Sequence, residues 1–121
     1  MKVYYYSYAL IATGGFLGAI LRFFIDQRIP DLPGTLLVNF FGCFLMGVFM
    51  YESIYIAAFS SQIRIFFGVG FIGAFTTFSA LAVQSFEVTP GIAILNLAAN
   101  LALGLFGIFA GRYFITYQRG I

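Results

Sequence analysis

The ten charged side chains of this chain separate four uncharged runs, each long enough to cross a membrane. The runs are residues 3–21, 32–51, 65–86 and 88–111, which hold 19, 20, 22 and 24 residues. An α-helix rises about 1.5 Å per residue, so each run spans the roughly 30 Å of a hydrocarbon core. Because 62% of the 121 residues are apolar, one small globule could not bury this surface away from water. We therefore predict an all-α membrane protein with four transmembrane helices, built as a single unit over residues 1–121.

The groups on which most enzymes rely are almost absent. The chain has no His, and its four carboxylates lie near the ends of the predicted spans. Hydrolytic, redox and metal-centred catalysis therefore lack their usual groups, and we expect neither an enzyme nor a nucleic-acid partner. The single cysteine, Cys43, lies inside the second run, where we interpret it as buried apolar filler.

The charges between the runs bear on orientation. An even number of spans places both termini and the middle loop on one side of the membrane. That side carries Lys2, Arg64, Arg112 and Arg119, and the other side carries Arg22 and Arg28. The positive-inside rule then favours cytoplasmic termini, although insertion in both orientations stays open.

The connections between the runs are short. Residues 30–34, with Pro30 and Pro33, predict a tight turn between the first two spans, because proline disfavours a continuing helix. Residues 52–64 predict an apolar middle loop that lies in the membrane interface.

Polar side chains at membrane depth are few. Asn39 lies in the second span, and Asn96 and Asn100 share a helix face in the fourth. Each amide serves either as an interhelical hydrogen bond or as part of a functional site. Arg22, just inside the first span, either reaches toward lipid headgroups or neutralises charge at the end of a pore. Small residues spaced by four, such as Gly14 with Gly18 and Gly107 with Gly111, predict close helix contacts.

The third run differs from the others because residues that weaken a helix lie at its centre. Gly68, Gly70 and Gly73 precede the β-branched pair Thr76 and Thr77. We predict a break near the bilayer midplane, where freed carbonyls are suitable ligands for a small hard cation. The alternative is a continuous helix whose glycines serve packing only.

Three segments of the sequence together resemble a known family. GGFLGAILRF, GTLLVNFFGCFLMG and GFIGAFTTFS, in this order across the first three spans, are similar to the signature segments of the CrcB/Fluc fluoride channels. The resemblance covers nearly the whole chain, including its length and number of spans.

The resemblance implies an antiparallel dimer with two fluoride pathways around a central structural sodium ion, in a bacterial plasma membrane. The implied sodium ligands are the backbone carbonyls of Gly73 and Thr76. The implied anion pathway contains Asn39, Phe78, Ser79, Arg22, Leu81 and Asn100. Passive export would keep cytoplasmic fluoride low.

Several positions depart from the family pattern. Leu81 stands where a second phenylalanine is usual, and Gln84 stands where a glutamate is usual. Glu87 lies one turn further on, and we expect its side chain to point in a different direction, so that it is a poor substitute for that glutamate. Gly104 and Ile108 fall where hydroxyl residues are usual. The partner is therefore either a second identical chain or a paralogous subunit that forms a heterodimer.

The sequence allows two alternative functions. One is a proton-coupled exporter of the small multidrug-resistance type, which needs a titratable carboxylate in the membrane; that requirement is unmet, because Glu52 and Glu87 lie at span ends and Asp26 lies beyond Arg22. The other is a non-conducting accessory or structural membrane protein.

Overall fold

Helices account for almost all of residues 4–120, the part of the chain that this computed structural model describes. Helix α1 covers Tyr5–Arg28 and α2 covers Asp31–Ile54. The third span begins with α3, which consists of the consecutive segments Ser61–Ile63, Arg64–Ile72 and Gly73–Phe75. It continues after a break as α4, Ser79–Glu87, and the fourth span is α5, Pro90–Arg119. All four spans are long and apolar enough to cross a membrane, which confirms the predicted fold class.

The connections are tighter than the sequence predicts. The turn expected over residues 30–34 is wrong in extent, because α2 begins at Asp31 and Pro33 lies in its first turn. Proline is tolerated there since the N–H that it lacks would have no helical partner. The middle loop is confined to residues 55–60. Arg64 and Arg112 lie at the opposite end of the bundle from Arg28, whereas Lys2 lies outside the described residues.

Glycines set the distance between α1 and α3. A Cβ added at Gly14 would fall on the carbonyl oxygen of Phe66, and one at Gly18 on that of Phe71. From the other side, a Cβ at Gly70 would lie 2.8 Å from a backbone carbonyl oxygen of α1. This part of α3 is wound as a π-helix and is not broken. The predicted close contact at Gly14 and Gly18 is confirmed.

Helices α2 and α5 meet through the same kind of contact. A Cβ at Gly111 would fall on the carbonyl oxygen of Phe44, and one at Gly107 would lie 2.9 Å from that of Phe40. Gly47 of α2 lies as closely against the backbone of α5. The bundle thus consists of two tightly joined pairs, α1 with α3 and α2 with α5.

An ion pair that the sequence did not reveal joins the ends of α2 and α5. Arg119 donates from Nε to Oε1 of Glu52 at 2.7 Å and from Nη2 to Oε2 at 2.6 Å. Glu52 is only 6% exposed, so its charge is removed from water and matched by the planar guanidinium. This paired geometry ties the last turn of α5 to the last turn of α2.

We expect Gly14→Ala to destabilise the fold and Gly15→Ala to leave it nearly unchanged. The added methyl of Gly14→Ala meets backbone that cannot move aside, and overpacking of this kind costs about 1–3 kcal/mol. A Cβ at Gly15 has its nearest neighbours at 3.7 and 3.8 Å, which is ordinary contact. Reversible unfolding in mixed detergent micelles measures both variants, and equal stabilities would contradict the close α1–α3 contact.

Candidate functional site

The third span breaks at the three residues between α3 and α4. Helix α3 ends at Phe75, Thr76 is extended with ψ of 160°, and α4 begins at Ser79. The predicted break is confirmed, but it occurs at the threonines and not at the glycines. Gly70 and Gly73 lie within helical segments, and Gly70 serves the contact with α1.

The side chain of Asn39 holds the broken backbone at Thr77. Its Oδ1 accepts the Thr77 N–H at 2.8 Å, and its Nδ2 donates to the Thr77 carbonyl at 3.0 Å. One amide therefore replaces both helical hydrogen bonds that the break removes from Thr77. A buried backbone group without a partner is costly, so this two-point contact makes the break tolerable at membrane depth.

A chain of amides continues from Asn39 across the bundle. Nδ2 of Asn39 also donates to Oδ1 of Asn100 at 2.9 Å. Asn100 in turn donates to the backbone carbonyl and Oδ1 of Asn96, at 3.0 and 3.2 Å, and Asn96 donates to Oγ of Ser85 at 3.1 Å. Asn96 and Asn100 are both buried. The amides thus link α2, α4, α5 and the break, as expected if these residues form interhelical hydrogen bonds.

The two threonine hydroxyls at the break have different partners. Oγ1 of Thr76 donates back to the carbonyl of Ile72 at 3.1 Å, at the end of α3. Oγ1 of Thr77 accepts the N–H of Ala80 at 3.2 Å and lies 3.3 Å from Oγ of Ser79. Thr77 therefore caps the first turn of α4 by its side chain while Asn39 holds its backbone.

Two backbone carbonyls near the break lack their helical partners. The N–H that would close the bond to the Gly73 carbonyl belongs to Thr77, which donates to Asn39 instead. The Thr76 carbonyl accepts from Nη1 of Arg22 at 3.2 Å. Carbonyl oxygens of this kind suit a hard cation, although the Thr76 oxygen is engaged by the guanidinium of Arg22 in this structure.

A cavity of about 480 Å³, here called the central cavity, opens beside the break. It brings together five of the predicted site residues: Asn39, Thr76, Phe78, Leu81 and Asn100. The Phe78 side chain is 78% exposed, whereas Leu81 is buried in the wall. Cys43 also lines the central cavity, one turn after Asn39 on the same face of α2, and it is half-buried where the sequence predicted a buried residue.

A second cavity of about 460 Å³, here called the outer cavity, lies on the other side of Thr77. Arg22 and Ser79, two further predicted residues, line it together with Gln84. Its lining also contains the carboxylates of Asp26, Asp31 and Glu87. Oε1 of Gln84 is buried and accepts no hydrogen bond within residues 4–120. All the predicted site residues except Gly73 are thus divided between two cavities that meet at the break.

The structure shows what surrounds some of the positions that depart from the family pattern. Glu87 faces the same cavity as Gln84, so the expectation that it points elsewhere is wrong: residues three apart share a helix face. A Cβ at Gly104 would lie 3.4 Å from Sγ of Cys43, which therefore occupies the space beside that glycine. The backbone of Ile108 lies against Gly47.

We expect Asn39→Leu, which keeps a similar volume, to destabilise the protein. It leaves the Thr77 N–H without an acceptor and the Oδ1 of Asn100 without a donor. Each buried unsatisfied group costs about 1–3 kcal/mol. Thr116→Val is the matched control, because its hydroxyl bonds only to its own helix at an exposed position. Thermal unfolding in detergent measures both, and an Asn39→Leu variant as stable as the control would refute the role of this amide.

The sequence of this chain matches a known family of proteins. The profile of the family described as CrcB-like protein, camphor resistance (CrcB), matches residues 9–112. The chain is 49% identical over 111 residues to fluoride-specific ion channel FluC 1 of Methanospirillum hungatei, covering 92% of this chain and 79% of that protein. It is 49% identical over 106 residues to fluoride-specific ion channel FluC 2 of Methanosarcina mazei, covering 88% and 84%.

A third relative, fluoride-specific ion channel FluC 2 of Methanosarcina barkeri, is 48% identical over 111 residues, covering 92% of this chain and 88% of that protein. These relatives are named as ion channels, not enzymes. They are archaeal, so the bacterial plasma membrane stays a prediction. The resemblance found in the three signature segments is confirmed. The chain belongs to the CrcB-like family of multi-pass membrane proteins.

Proposed function

We propose that this chain is a subunit of a fluoride-selective channel through which fluoride leaves the cytoplasm passively, so that fluoride toxicity is reduced. The observation that carries the proposal is the 49% identity, over 92% of this chain, to a relative named a fluoride-specific ion channel. The break supports it, because irregular backbone at membrane depth is tolerated where protein buries it or where it lines a wet cavity.

The proposed contacts to the anion come from three side chains near the break. Fluoride is small and strongly hydrated, so a pathway must replace its lost water with other donors. Phe78 offers a ring edge in the central cavity, and Ser79 offers a hydroxyl in the outer cavity. Arg22 is the one cationic side chain in the lining of the outer cavity, where three carboxylates also lie, and the Thr76 carbonyl uses only one of its five N–H donors. Weak contacts suit a channel, because the site must release the ion as readily as it binds it.

Asn39 and Asn100 have a different role in this proposal. A side-chain amide has two N–H groups, and those of Asn39 are donated to the Thr77 carbonyl and to Asn100. The amide nitrogen of Asn100 is bonded to Asn96. We therefore assign Asn39 and Asn100 as positioning residues that hold the break, with Leu81 as an apolar wall of the central cavity.

A second subunit is part of the proposal. The Gly73 and Thr76 carbonyls of one chain supply too few oxygens for a hard cation, which collects a larger shell. An antiparallel dimer would bring the same pair from a second copy, and sodium between them would add positive potential at the midplane. The sodium ion and the antiparallel arrangement both remain proposals.

The identity of the second subunit has two alternatives. A homodimer requires that Leu81, Gln84, Gly104 and Ile108 be compatible with conduction. A heterodimer would let a paralogous chain contribute the aromatic and hydroxyl groups that these positions lack. The exporter alternative requires a free carboxylate deep in the membrane. The buried Glu52 is paired with Arg119, and the three carboxylates of the outer cavity lie in the first or last turns of their helices.

We expect liposomes that contain this chain to release fluoride and to retain chloride. Phe78→Leu removes a ring-edge contact worth about 1 kcal/mol and should slow fluoride release roughly fivefold. Phe86→Leu, in the same helix region but outside both cavities, is the matched control and should conduct as the wild type does. A fluoride electrode outside the liposomes follows the release.

The outcome also distinguishes the partners. Release only after co-reconstitution with a paralogous chain would establish the heterodimer. If neither preparation releases fluoride, or if chloride leaves equally fast, the channel proposal is wrong.

We expect sodium binding to survive Thr76→Ala, because the proposed ligand is the backbone carbonyl and the hydroxyl is bonded to Ile72. The measurement is the sodium-dependent rise in thermal stability, with potassium as the control ion. Loss of the sodium effect in this variant would show that the hydroxyl is the ligand and would contradict the proposed site.

A further inference from the structure

A third cavity, here called the α5 groove, lies between α2 and α5 toward the end of the bundle that carries both termini. It has a volume of about 220 Å³. Its lining is apolar or aromatic, with Met50, Tyr51, Tyr55 and Ile108, except for one charged side chain, Arg112. A single cation at the rim of an otherwise uncharged groove attracts anions with little competition from neighbouring charges.

The α5 groove and the central cavity lie on the same flank of α5. Leu97 and Leu101 line the central cavity, and Ile108 and Arg112 line the groove. At 3.6 residues per turn these four positions fall within about 60° of one another around the helix. A different groove between the same helices uses Leu103 and Phe106, which lie on the opposite flank.

The α2 side shows the same continuity. Cys43 lines the central cavity and Gly47, one turn later, lines the α5 groove. Between them the helices are in contact, with Sγ of Cys43 beside Gly104. No charged side chain lies on this flank between the amide of Asn39 and Arg112, and the contact at Gly104 separates the two cavities within this subunit.

The surroundings of Arg112 also differ from those of the other arginines near the cavities. Arg22 donates to the Thr76 carbonyl, and Arg119 is paired with Glu52. Arg112 is exposed, and no acceptor for it lies within hydrogen-bonding or ion-pairing distance among residues 4–120. It lies about two turns before the end of α5, so its guanidinium is available to an ion at the end of the groove.

We propose that Arg112 captures the anion at the end of the α5 groove, on the side of the membrane that carries both termini. The inference rests on the proposed function and adds a residue to it. Arg112 acts on the local concentration of the anion, whereas Phe78 and Ser79 contact the anion near the midplane. Rings or patches of Arg and Lys have this role in anion pores.

The test compares Arg112→Gln with Arg64→Gln in liposomes of uncharged lipid. Arg64 lies on the same side of the membrane but lines none of the three cavities, so both variants lose the same charge. At low fluoride and about 0.01 M salt, where screening is weak, Arg112→Gln should slow release roughly tenfold. At saturating fluoride, or at about 1 M salt, its rate should approach that of the wild type. Arg112→Lys should keep most of the rate, since it keeps the charge.

Each result separates this inference from the proposed function. If the wild type conducts and Arg112→Gln matches Arg64→Gln, Arg112 has no special role and the inference is wrong. If Arg112→Gln differs from the wild type only in bilayers of anionic lipid, the side chain serves lipid headgroups and the inference is also wrong. A wild type without fluoride flux would overturn both. The inference is supported if Arg112→Gln releases fluoride more slowly than the wild type at low salt but not at high salt, and if Arg64→Gln behaves as the wild type does.

Discussion

The hydrogen bonds between Asn39 and the backbone of Thr77 are the interaction on which the rest of this structure depends. A helix interrupted inside a bilayer loses backbone partners that water cannot replace, and one amide restores both the donor and the acceptor at Thr77. The same amide reaches Asn100, so the break is fixed relative to α5 as well as α2. Because the Thr77 N–H is committed to Asn39, the Gly73 carbonyl is left without its helical partner. The proposed cation site is thus a consequence of the amide contact.

The glycine contacts bring the helices that surround the break close together. Gly14 and Gly18 bring α1 against α3, and Gly107 and Gly111 bring α5 against α2. Between these two pairs, the break leaves cavities on either side of Thr77. The polar groups of this apolar chain therefore concentrate where the two pairs meet, and the remaining surface is suited to lipid. The proposed pathway passes this cluster of polar groups. It has Phe78 and Ser79 at the break and Arg112 at one end.

Much of this arrangement could be predicted from the sequence. The spacing of charges gave the four spans, and Thr76 and Thr77 in mid-run gave the break, because both signals are local. The partners of the polar side chains could not be predicted, since they depend on contacts between distant segments. Asn39 meets Thr77 across 38 positions, and Glu52 meets Arg119 across 67. The direction of the Glu87 side chain was mispredicted because its helical phase relative to Gln84 was misjudged.

The conformation of Thr76 in bilayers tests the central claim, that Asn39 holds the third span broken. Carbon-13 chemical shifts of the Thr76 Cα and Cβ, measured by solid-state NMR, report whether its backbone is extended or helical. The account predicts extended values in the wild type and a shift toward helical values in Asn39→Leu, because the freed Thr77 N–H would return to the Gly73 carbonyl. Extended values that persist unchanged in Asn39→Leu would contradict it and would show that other contacts hold the break.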